Sequence, residues 1–158
     1  MAQTTGAVVF TGALIEYTID GGTTYTDISG FGKVVTVEGG ERNRGEYFTA
    51  DGDTPILKAG KRTKQTVTVD AVYTVTLTDP YKVIRDIHIT AGGGTTTTIP
   101  MIRFSPGGGN TGDMQFVTNA NNRVLVNITD PQGDVEPGDI IPFQVVVDTA
   151  DLTQTVVA

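Results

Sequence analysis

The chain has 158 residues, among them 20 Gly, 27 Thr, one His and neither Cys nor Trp; 18 acidic against 11 basic residues give a formal charge of −7. Without Cys there are no disulfides, thiolate metal sites or Cys nucleophiles, and a single His excludes a His-pair zinc site. The acidic balance opposes a nucleic-acid-binding role built on neutralising phosphates.

Length predicts one domain, 1–158, able to bury roughly 70% of its unfolded surface. Thr and Val are β-branched and favour pleated, half-buried surfaces. Charged residues make up 18% of the chain, below the roughly 25% of an average soluble domain; composition fits either an ordinary soluble β domain or a surface suited to being covered by another subunit. The opening MAQTTGAVVF has no Lys or Arg before its short apolar run, which predicts no secretory signal and synthesis in the cytoplasm. No run long enough for a membrane-spanning helix occurs, so no membrane partner is expected.

The first strand is expected at 13–19 (ALIEYTI), closed by Asp20-Gly21-Gly22, where Gly supplies φ > 0 without steric cost. Others follow at 33–38 and 46–50. Residues 64–77 (KQTVTVDAVYTVTL) show the clearest period of two. Val67, Val69, Ala71, Tyr73, Val75 and Leu77 fall on one face; Thr66, Thr68, Asp70, Thr74 and Thr76 fall on the other, with Val72 the exception. Such a strand would run roughly 40 Å, well beyond the usual length. One helix is expected at 80–89, with Thr78-Asp79 to cap it, Pro80 in its first turn, Tyr81, Ile84 and His88 at helical spacing, and the Gly triplet 92–94 beyond its end. Strands resume at 95–104, 114–117, 123–129 and 142–148; Pro100 inside the first predicts an edge or a bulge. Strands, one helix, then strands is not a βαβ pattern and predicts a mainly β fold.

Charge is unevenly spread. Seven of the 11 basic residues lie in 33–64 (Lys33, Arg42, Arg44, Lys58, Lys61, Arg62, Lys64), beside Glu38, Glu41, Glu46, Asp51 and Asp53. From 130 onward there are six acids (Asp130, Asp134, Glu136, Asp139, Asp148, Asp151) and no Lys or Arg. The 39–63 excursion reads either as a solvated hairpin or as an arm reaching a neighbouring subunit, where alternating charges fix register and exclude wrong partners.

Candidate chemistry is thin. His88 is the one possible imidazole base, and at a helix end it reads as a capping or packing residue. Gly60-Lys61 lacks the upstream Gly and following Ser or Thr of a phosphate loop, since Pro55 and Arg62 stand there. Asp51-Gly52-Asp53 and the Asp130, Asp134, Glu136, Asp139 group offer oxygen ligands but not EF-hand spacing, and read as turns. The sequon Asn127-Ile128-Thr129 matters only in a secreted chain. No cofactor, metal or catalytic residue is therefore assigned, and the chain is expected not to be an enzyme.

The run Asp20-Gly21-Gly22-Thr23-Thr24-Tyr25-Thr26-Asp27-Ile28-Ser29-Gly30, then Val37-Glu38-Gly39-Gly40-Glu41-Arg42, Gly45-Glu46, Asp51-Gly52-Asp53-Thr54-Pro55 and Gly60-Lys61-Arg62, resembles the major tail tube proteins of long-tailed, siphovirus-type bacteriophages. The long Val/Thr strand and the Thr78-Asp79-Pro80-Tyr81 helix opening fit as well, and the likeness covers about 14–104. The resemblance implies a β-sandwich or barrel-like subunit with a flanking helix and a long hairpin arm. Six copies would form a ring with an inner β-barrel, and rings would stack into a tube that houses the tape-measure protein and later passes DNA. Initiator or distal and terminator proteins would be further partners, and the virion tail the location. The arm would meet neighbouring subunits, giving Glu38, Glu41, Arg42, Arg44, Glu46, Asp51, Asp53, Lys58, Lys61 and Arg62 as interface candidates. An acidic wall would let phosphate slide rather than bind, within the ~8 Å screening length at physiological salt. Thr66, Thr68, Asp70, Thr74 and Thr76 are the lumen-facing candidates. The alternative is a carbohydrate- or receptor-binding β-sandwich, which expects exposed aromatics on a groove; aromatics are only 7% of this chain.

Overall fold

The computed structural model describes residues 9–76, 78–90, 98–138 and 140–158. The 92–94 Gly triplet, the first part of the 95–104 run, Leu77 and Asp139 lie outside the described residues. After a short 3-10 turn come β1 (Leu14–Thr18), β2 (Thr26–Asp27), β3 (Gly32–Gly39), β4 (Arg42–Tyr47), β5 (Ile56–Arg62) and β6 (Gln65–Val72). Helix α1 (Pro80–Ile89) precedes β7 (Met101–Ser105), β8 (Met114–Thr118), β9 (Arg123–Ile128), β10 (Pro142–Thr149) and β11 (Leu152–Val156). One sheet has the order β11-β8-β7-β1-β2, a second β3-β6-β10-β9, and β4 pairs with β5 alone. All these pairings are antiparallel.

The two large sheets share one core. β6 sends Val67, Val69 and Ala71 inward, β10 sends Phe143, Val145 and Val147, and the other sheet contributes Ile15, Tyr17, Ile102 and Phe104. Val67 and Val147 sit opposite each other and are both 0% exposed. Burying such side chains is worth about 1.5–3 kcal/mol each before the entropy of ordering them. Helix α1 closes one side through Tyr81 and Ile84. The Tyr81 ring meets Tyr73 at 4.9 Å and Phe143 at 5.3 Å, both edge-on, the arrangement ring quadrupoles favour. Its hydroxyl donates to Asp130 at 2.9 Å, where the Arg85 guanidinium also donates at 2.9 Å. These two bonds, Arg85 first, hold the Asp130 carboxyl below the usual range.

Turns follow their residues. The Asp20 carboxylate accepts from the backbone N–H of Thr23 and Thr24 while Gly21 and Gly22 take φ of 76° and 96°. These bonds, with the Thr18 hydroxyl foremost, lower the Asp20 pKa to about 2. At the other corner Arg123, only 5% exposed, donates to the carbonyls of Ile99, Asn119 and Ala120.

Some expectations change. The 64–77 strand stops at Val72, because its partner β10 begins at Pro142, opposite Val72, and proline has no N–H to extend the ladder. Tyr73 still donates to the Ile141 carbonyl, and the chain then leaves for the helix. Thr74 and Thr76 therefore lie beyond the strand. Helix α1 has the expected bounds, but Asp79 makes no side-chain capping bond. Pro100 is fully buried just ahead of β7, itself an interior strand, so it marks neither an edge nor a bulge. In the 46–50 run, strand ends at Tyr47 and Phe48–Ala50 enter the hairpin loop. β11 lies outside the expected strands, and β5 is the second strand of the 39–63 hairpin without an alternation to mark its bounds: neither has a buried face to impose one.

Candidate assembly surfaces

Two surfaces collect the residues of interest. The first is the β4–β5 hairpin. Its root is fixed by Gly39 and Gly40 at φ 83° and 79°. A Cβ on Gly39 would stand 2.3 Å from the Lys64 carbonyl oxygen, so side chains are excluded where the arm leaves the sheet. Across the root, Thr63 donates its N–H to the Glu41 carbonyl at 2.8 Å and Arg62 donates to the Gly40 carbonyl at 3.2 Å. Arg42 reaches the Gly60 carbonyl at 3.2 Å. Every residue of β4 and β5 is exposed. A two-stranded ribbon of this kind is marginal by itself in water.

All ten interface candidates are exposed, and nine lie on this arm. Arg42, Arg44, Glu46, Lys58, Lys61 and Arg62 are on its strands, Glu41 at its root, and Asp51 and Asp53 in its loop. Glu38 is apart from them, near the end of β3. Among the described residues no ion pair involves the arm's cations. The sequence reading passed over the arm's apolar residues: Tyr47 and Leu57 are 69% exposed, Phe48 54% and Ile56 47%. Tyr47 and Ile56 sit opposite each other, as do Glu46 and Leu57. An Ile-Leu pair beside Pro55 and ahead of three cations was the available signal.

The second surface is the outer face of the β3-β6-β10-β9 sheet. Register places Glu38, Thr66, Asp148 and Val124 in one row across it, and Thr36, Thr68, Val146 and Asn127 in the next. Asp70 and Gln144 form part of a third, with the Gln144 amide donating to Asp70 at 2.7 Å. Of the lumen candidates, Thr66, Thr68 and Asp70 thus share one face with the carboxylates of Glu38 and Asp148. Thr74 and Thr76 do not extend it, and among the described residues the buried Thr74 hydroxyl has no hydrogen-bond partner. Burial pushes the Asp148 carboxyl up, but the Lys64 ammonium and the Thr66 hydroxyl bonded to it outweigh burial and keep it below the usual range. Period-2 reading of β10, with Phe143, Val145 and Val147 inward, would have put Gln144 and Asp148 on this face.

His88 brings its Nε2 to 3.5 Å from the Val126 carbonyl oxygen, a packing contact along β9. Among the described residues no group of three or more His, Asp or Glu is placed to hold a metal ion. Among the described residues no helix is long and apolar enough to cross a membrane.

No protein-family model matches this chain, and no curated protein matches it. Solved structures do. A chain of the sheath–tube complex of an extracellular contractile injection system matches with a TM-score of 0.67 at 14% identity, over 99% of this chain and 100% of that one. A chain from the tail of an empty gene transfer agent particle matches with a TM-score of 0.55 at 14% identity, over 99% and 100%. The SPP1 tail tube matches with a TM-score of 0.57 at 9% identity, over 95% of this chain and 80% of that one. The fold is therefore the mainly β fold shared by subunits of such tail and injection tubes. It is broader than the long-tailed phages singled out by sequence, since a contractile system shares it over the whole chain.

Proposed function

We propose that this chain is a structural, non-enzymatic tube subunit that assembles into stacked rings, six to a ring, in a virion tail. The observation that carries the reading is the arm: two strands with every residue exposed, bearing Tyr47, Phe48, Ile56 and Leu57, on a fold otherwise closed around one core. An exposed apolar cluster of this kind marks an interaction surface. Sixfold rings are supported by the gene transfer agent tail, which was refined with C6 symmetry. The carboxylate-bearing sheet face, with Glu38, Asp70 and Asp148 among Thr36, Thr66 and Thr68, is the proposed channel wall. It repels phosphate and so lets DNA slide, and it encloses the tape-measure protein before that. Ring closure pairs the edges that β3 and β9 leave open at either side of this sheet. Initiator and terminator proteins complete the tube ends; a chain from a sheath/tube terminator structure of a contractile injection system is among the structurally similar ones.

Electron microscopy of the purified chain tests the reading. Rings or tubes of uniform diameter are expected as concentration rises. A strictly monomeric species at high concentration, even with an initiator protein added, would overturn it.

A further inference from the structure

The cation-bearing arm and the acidic loop stand at opposite ends of one sheet. The arm leaves where Gly39 and Thr149 meet Gln65; the loop joining β9 to β10 is rooted where Gly32 and Pro142 meet Ala71 and Val72. Eight residues of β6 separate the two ends, roughly 25 Å of strand. The arm carries five cations beside four carboxylates (Glu41, Glu46, Asp51, Asp53), whereas the loop carries carboxylates and no Lys or Arg. The arm has Arg42, Arg44, Lys58, Lys61 and Arg62 with no carboxylate paired to any of them among the described residues. The loop has Asp134 and Glu136, also outside every ion pair among the described residues, whereas Asp130 is already held by Arg85. Between those two carboxylates Val135 is 93% exposed, and Ile140 further along is 76% exposed. On the arm, Tyr47 and Ile56, paired across the two strands on the same face as Lys58, are the matching apolar groups.

We infer that the acidic 130–140 loop of one copy is the receptor for the arm of another copy of this chain. The inference rests on the tube reading and names the partner of its arm. Val135 and Ile140 pack against the apolar end of the arm, while Asp134 and Glu136 face its cations: an apolar centre with a charged rim. Complementary rim charges fix register and speed encounter. Used head to tail, the contact is heterologous and leaves one arm and one loop open for the next copy. Folding back onto its own loop would require the arm to cross the length of the sheet.

The test combines charge reversal with cross-linking. The variant D134K/E136K should need at least about tenfold more protein to assemble, and K58E/K61E in the same chain should restore assembly, which also shows that the loop variant folds. Carbodiimide treatment of wild-type tubes should join Lys58 or Lys61 to Asp134 or Glu136, read by mass spectrometry. Tubes from D134K/E136K at the wild-type concentration would overturn the pairing and leave the tube reading intact. So would a folded loop variant that arm reversal does not rescue, or arm lysines joined only to other carboxylates. Wild-type chain that forms no tubes under any condition would overturn both.

Discussion

The sandwich and the arm are both antiparallel β-structure, yet different forces hold them. In the sandwich each inward residue of β6 and β10 is at most 3% exposed, and the ladder is a by-product of apolar burial. In the arm no strand residue is buried, and only cross-strand bonds and a glycine root define its shape. The comparison separates two properties usually lost together. Fold stability resides in the sandwich, and the proposed function assigns association to the arm.

The largest effect should come from the core. Ile84→Ala, on the buried face of helix α1 at a site 1% exposed, is expected to cost about 2–5 kcal/mol in chemical denaturation and to abolish assembly along with the fold. Tyr47→Ser with Leu57→Ser should break the correlation. The denaturation midpoint of the monomer stays put, while sedimentation shows assembly lost, as expected when anchors worth about 2 kcal/mol each are removed from an interface. Reversing Arg42, Arg44, Lys61 and Arg62 to Glu should likewise block polymerisation with an unchanged circular dichroism spectrum; unaltered tube yield would remove these cations from the interface.

Smaller effects sharpen the contrast. The Asp20 pKa of about 2 lies below its ordinary value, so the turn contributes stability that is complete above that ordinary value and lost as pH falls through 2. Asp20→Ala should therefore lower the thermal midpoint at pH 7, and its deficit relative to wild type should shrink between about pH 4 and pH 2. Lys82→Ala removes an exposed i,i+4 pair with Asp86 and should change stability by less than about 0.5 kcal/mol.

The same distinction decides what was legible in the sequence. Val67, Val69 and Ala71 announced their strand because burial imposes alternation on one face. The helix was found because Pro80, Tyr81 and Ile84 satisfy both a start signal and an apolar stripe. β5 and β11 carried no such imprint, and their strand state comes from a partner rather than from a buried face. Alternation also misled where it outlasted its partner: Thr74 and Thr76 continue the pattern past Val72, but β10 has nothing left to pair with them. For the candidate surfaces, charge pointed to the arm, yet it drew attention away from Tyr47 and Leu57. The outer sheet face was half visible, since Asp148 joins Thr66 only through register between distant strands.

Arg123 has a consequence for how this fold tolerates change. Its guanidinium is received by the backbone carbonyls of Ile99, Asn119 and Ala120, and a carbonyl is the same whatever side chain accompanies it. These contacts leave substitution open at 99 and 120, whereas position 123 demands a forked, planar donor that a lysine cannot imitate. Asn119 is further tied to Asp151 through its side-chain amide. Mutational tolerance around this corner should therefore be lopsided, with one residue fixed by the backbone of its neighbours.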